Sequence, residues 1–165
     1  MHSHQKIGFS YVIETIVGGL VVDAEEVHNL MPMEGLNHTL GVLLNNGVQA
    51  SSWYIGIYEG NYTPTGSETA ASIASAATET TAYAETTRVA FVGAAPLAGT
   101  MSNAASRAEF TLNADKTIYG GYMISSAAKG AVSGVLLSLV RFSSPKVLQA
   151  GSILRVTAGV TFASA

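Results

Sequence analysis

The chain has 165 residues, the length of one ordinary domain and enough to bury a self-sufficient core. Eight basic against eleven acidic residues leave a net charge of −3, which argues against holding nucleic acid by its phosphates. The absence of cysteine excludes disulfides and thiolate metal sites. Only 12% of residues are charged, half of the roughly 25% usual in soluble domains. Much of the surface is therefore expected to meet other protein, which favours an assembly component over a free-standing enzyme.

Residues 1–6 read as a flexible N-terminus without the charged-then-apolar layout of a secretory signal. Residues 7–22 are interrupted by Ser10, Glu14, Thr15 and Gly18-Gly19, so they do not form a membrane-spanning helix. Instead Ile7, Phe9, Tyr11 and Ile13 alternate with smaller or polar residues, Gly18-Gly19 turns the chain, and residues 20–24 restart as a return strand. This predicts an N-terminal hairpin or arm over 7–31.

Pro32 and Glu34 open a predicted helix near 32–45, in which Met33, Leu36, Leu40, Leu43 and Leu44 recur at spacings of three and four. Asn45-Asn46-Gly47 suits its C-terminal cap. A weaker helix signal covers 69–77, with Ser67 or Thr69 as N-cap, inside the low-complexity stretch 65–87.

From Trp53 the chain reads mainly as strands. Trp53, Ile55 and Ile57 share one face and Tyr54, Gly56 and Tyr58 the other. A short apolar segment spans 89–92. Ala108, Phe110 and Leu112 face inward from 107–112, and residues 113–116 make a turn. Ile118, Gly120, Tyr122 and Ile124 are expected on one face of the next strand. A strand over 135–142 is expected to end at Ser143-Ser144-Pro145. The last strand, 152–162, places Leu154, Val156, Ala158, Val160 and Phe162 together. The fold class is mainly β: a β-sandwich or jelly roll over 32–165 with an N-terminal hairpin and one or two short helices. The expected core includes Leu36, Leu40, Trp53, Ile55, Phe91, Phe110, Leu112, Ile118, Val156 and Phe162.

Chemistry has few footholds. His2 and His4 sit at the terminus, and His28 and His38 stand apart with Glu25, Glu26 and Glu34 nearby but without ligand spacing. Ser133, in Gly130-Ala131-Val132-Ser133-Gly134, is one position late for a nucleophile elbow. No phosphate-cradling glycine motif is present. Neither a catalytic set, a cofactor nor a metal is expected. Tyr54, Tyr58 and Tyr62, beside Trp53, form the one aromatic concentration, suited to packing or to stacking on sugars.

The order of segments carries a resemblance. After the hairpin come residues 29–38 (NLMPMEGLNH), 53–57 (WYIGI), 83–88 (YAETTR), 110–114 (FTLNA), 117–120 (TIYG) and 151–154 (GSIL). Together they resemble small structural proteins of tailed bacteriophages, among them jelly-roll capsid cement (decoration) proteins, over roughly residues 7–162. The resemblance implies a noncatalytic virion protein, made in the host cytoplasm and bound outside the capsid. Its partner would be the major capsid protein, with dimers or trimers of its own, and without nucleic acid or membrane. The rival function is a tail-fibre or receptor-binding module meeting host glycans. Partner contacts are expected at Ile7, Phe9, Tyr11, Ile13, Tyr54, Tyr58 and Tyr62. Two roles for the hairpin stay open: a contact arm outside a minimal sandwich, or part of this domain's own sheet.

Overall fold

A computed structural model describes residues 6–163, with side chains from Gly8 to Phe162. In chain order the elements are β1 (Lys6–Val17), β2 (Leu20–His28), α1 (Met33–Leu44), β3 (Tyr54–Tyr58), α2 (Ile73–Ala76), β4 (Val89–Ala90), β5 (Thr100–Ser102), β6 (Ala108–Thr111), β7 (Lys116–Ile124), β8 (Leu136–Leu148) and β9 (Ile153–Ala163). They form two antiparallel sheets, as the alternating segments predict. One sheet runs β2-β1-β9, with β5 and β6 both paired to the other edge of β9; the second runs β4-β3-β7-β8.

The β1–β2 hairpin turns on Gly18 and Gly19, both at positive φ (57° and 82°), which a two-residue turn of this hand requires. β1 is not an arm. It pairs with β2 on one side and with β9 from Lys6↔Ala163 to Ile16↔Ile153 on the other. Phe9, Tyr11 and Ile13 therefore point between the sheets, where they meet Phe110, Leu154, Val156, Ile55, Ile57, Ile118 and Phe142. From the second sheet, nearly buried Lys146 reaches Asp23 (2.7 Å) and Glu25 (3.1 Å) on β2.

A third layer covers the outer face of the second sheet. Ala70, Ile73 and Ala77, in and around the short α2, pack on Tyr58, Tyr122, Ile124, Leu136 and Leu139. The low-complexity stretch thus supplies small side chains to a close-packed cover. Its helix is shorter than predicted, with Ser72 at the N-cap position.

Two expectations about faces and one about a strand end are corrected. β7 shifts register between Ile118 and Gly120, so Ile118 faces the inter-sheet core while Tyr122 and Ile124 face the third layer. β8 does not stop at Ser143-Ser144-Pro145 but continues to Leu148. It is the edge of its sheet, where the missing proline N–H costs no ladder bond. α1 forms where predicted, yet Leu36 and Leu40 lie exposed, and Gly35 is its buried residue. A Cβ at Gly35 would fall against the Leu136 and Leu137 carbonyl oxygens, so this glycine face alone lets the helix rest directly on the β8 backbone. Of the remaining expected core, Ile55, Phe110, Leu112, Ile118 and Val156 are buried. Trp53 and Phe91 are half-buried against the core, and Phe162 is exposed near the chain end.

Candidate functional site

The residues expected to meet partners do not gather on a surface. Phe9, Tyr11 and Ile13 are core, which corrects their assignment as contacts; the Ile7 side chain lies outside the described residues. The Tyr11 hydroxyl lies 2.6 Å from Ser138 Oγ on the opposing sheet, and Asn29 Nδ2 donates to the same oxygen at 2.9 Å. Burial pushes the Tyr11 phenol well above its ordinary pKa. Tyr11 is thus a pin between the sheets.

The tyrosine patch also fails to form. Tyr58 is fully buried and donates to the Val140 carbonyl at 2.9 Å. Tyr62, half-buried, donates to Glu68 Oε1 at 2.6 Å, and half-buried Tyr54 borders a groove beside Trp53 and Phe91. These rings therefore offer no shared stacking platform.

Several acids instead hold loops in place. Glu68 accepts from Tyr62 Oη, Thr65 N and Thr65 Oγ1 through one oxygen and from Gly66 N through the other. Burial alone would raise this carboxyl, but those donors outweigh it and hold its pKa at about 2. Glu79 and Arg88 form a buried two-bond fork at 2.8 Å each. Arg88 also donates to the Ser126 and Ala131 carbonyls, and Gly130 N donates to Glu79. Glu34 does more than face the helix end: its Oε2 accepts from Ala70 N (2.8 Å) and Leu136 N (2.6 Å), locking α1 onto the fold. Glu25 and Glu26 diverge, Glu25 toward Lys146 and Glu26 into solvent.

His2 and His4 fall outside the described residues. His38 stands edge-on to Trp53 at 5.7 Å, and His28 and Ser133 are exposed. Among the described residues no three His, Asp or Glu side chains converge as a metal site, and no helix is long and apolar enough to cross a membrane.

What the surface does carry is apolar. Val17, Leu20, Val21 and Val22 are exposed around the tip of the β1–β2 hairpin, and β2 is an open sheet edge. Met33, Leu36, Leu40, Leu43 and Leu44 are exposed along α1. Beside α1, at the end of β1 and β9 away from the hairpin tip, the sandwich retains a cavity of about 150 Å³ lined by Met31, Met101, Met123, Trp53, Phe91 and Phe162 among others. Sequence reading did not find this cavity, because its three methionines come from distant segments without a shared period. The helix face is legible as a pattern in the sequence, but its expected core members, Leu36 and Leu40, lie exposed. Comparison with protein-family models, with curated proteins and with solved structures finds no match to this chain.

Proposed function

We propose that this chain is a noncatalytic virion structural protein, a cement protein that binds the outside of a tailed-phage capsid and stabilises its lattice. The observation that carries the reading is the apolar tip of the β1–β2 hairpin, where Val17, Leu20, Val21 and Val22 stand in solvent beside an open strand edge. Several exposed apolar side chains gathered at one strand end suit a contact with another protein, and an open edge accepts a strand from a neighbour. The sparse charge of the chain and its resemblance to phage structural proteins support the same reading.

The hairpin therefore keeps a contact role only at its tip, since the remainder of β1 is committed to the core. The tip projects from a rigid base: β1 is held by two neighbours, and β2 is tied to β8 through Lys146. A rigid apolar projection binds without a large ordering cost. Binding that favours assembled over free capsid subunits stabilises the shell by that difference in affinity. The receptor-binding reading loses its aromatic platform, because Tyr58 is buried and Tyr62 is engaged by Glu68.

Gold-labelled antibody on virions tests the location: label over the shell supports the reading, whereas label on the tail or none on virions overturns it. In reconstitution, Leu20→Lys/Val22→Lys is expected to keep the fold and lose capsid binding; undiminished binding would remove the tip from the contact.

A further inference from the structure

We infer that the leucine face of α1 is where two copies of this chain pair. The helix is seated inside out for an amphipathic helix on a sandwich. Gly35 rests on the β8 backbone, and Glu34 accepts from the amides of Ala70 and Leu136. These contacts fix the opposite side toward solvent: Met33 is 60% exposed, Leu36 36%, Leu40 54%, Leu43 61% and Leu44 82%.

The spacing of this face selects its occupant. Met33, Leu36, Leu40 and Leu43 follow a three-four-three order, the a/d seam by which one helix packs along another. A helical partner of different sequence is ordinarily chosen by charges flanking such a seam. Here the flanking positions are Asn37, Thr39 and Leu44, and the one charged side chain of the helix, Glu34, is already bound on the other side. An uncharged seam meets its own copy without like-charge repulsion, and a two-fold pair places identical patches together.

The area sets the strength. The five side chains expose the equivalent of about three leucines, roughly 500 Å² per copy. The total stays below the ~800 Å² per partner of a standard interface. The pair is therefore a weak dimer, populated at micromolar and higher concentrations. The inference stands apart from the capsid reading, since it concerns copies of the chain in solution.

Sedimentation equilibrium of the full chain from about 1 µM to 1 mM tests it. A monomer–dimer equilibrium is expected, weakened at least tenfold by Leu36→Lys or Leu40→Lys. Val147→Lys, an exposed apolar site toward the far end of β8, should leave it unchanged. Because the chain has no cysteine, Leu36→Cys/Leu40→Cys gives a clean second readout: mild oxidation should link two copies for either helix direction. A wild-type chain that is monomeric throughout, a dimer indifferent to both lysine substitutions in folded protein, or failure of the cysteine variant to cross-link would overturn it.

Discussion

Tyr122 on β7 lies directly across from Gly56 on β3, and its ring occupies the space that a Cβ at Gly56 would need. The relationship is reciprocal two residues along, where the Tyr58 ring lies over Gly120. Each tyrosine thus lies across the opposing strand over a glycine that has no side chain to obstruct it. The pairing flattens two large rings beneath the third layer and lets Ile73 and Ala77 pack on them. Gly56→Ala is expected to destabilise the fold by about 1–3 kcal/mol, since the ring must move within a close-packed layer. Urea denaturation measures this, and an unchanged midpoint would show that the ring yields freely.

The Glu79–Arg88 fork is expected to behave as a buried pair does when one member is removed. Arg88→Ala leaves the Glu79 carboxylate without its main partner and frees two carbonyls of the β7–β8 connection. A loss of about 3–5 kcal/mol is expected by denaturant titration. Local protection in residues 126–131 should fall with it in hydrogen exchange.

Glu68 makes stability depend on acid. Its carboxyl is held at about 2 in the folded chain, below its ordinary value of 4.5. The stabilisation is therefore complete above about pH 5 and is lost as pH falls toward 2. About 2–3 kcal/mol should disappear over that interval, and Glu68→Gln should remove most of that dependence. Melting temperatures of both chains between pH 2 and 6 provide the check; parallel curves would assign the acid sensitivity elsewhere.

The faces of β6 can be separated by mutation. Phe110 is fully buried and stands at 5.1 Å, edge to face, with Tyr83, so Phe110→Ala should cost about 3–5 kcal/mol. Arg107 and Glu109 lie outward, paired with Glu14 and Arg155 at partly exposed positions. Replacing either by Ala should cost at most about 1 kcal/mol by denaturant titration.

Deleting residues 1–19 is expected to unfold the chain rather than yield a truncated sandwich. The deletion removes β1, and with it Phe9, Tyr11 and Ile13 from the core and the Tyr11–Ser138 pin between the sheets. Circular dichroism and size-exclusion of the truncated product decide this; a compact β-rich monomer would mean that β2 and β9 can pair without β1.

The sequence by itself determined the local elements. Alternation over 7–13, 107–112 and 152–162 marked strands, and Phe110, Leu112, Leu154 and Val156 face inward as their spacing required. Gly18-Gly19 marked the hairpin turn, and Pro32 with the leucine spacing marked α1. All of these signals act within a few residues, through backbone preference and side-chain period. Tertiary structure alone decided what covers each face. Glu34 finds the Leu136 amide 102 residues away, and that contact, with the close approach at Gly35, turns the leucines of α1 outward. Tyr58 and Tyr122 are buried because 70–77 folds over them, and β7 changes faces at a single register shift. Periodicity reveals that a face is apolar, whereas long-range backbone and carboxylate contacts select which apolar face is buried.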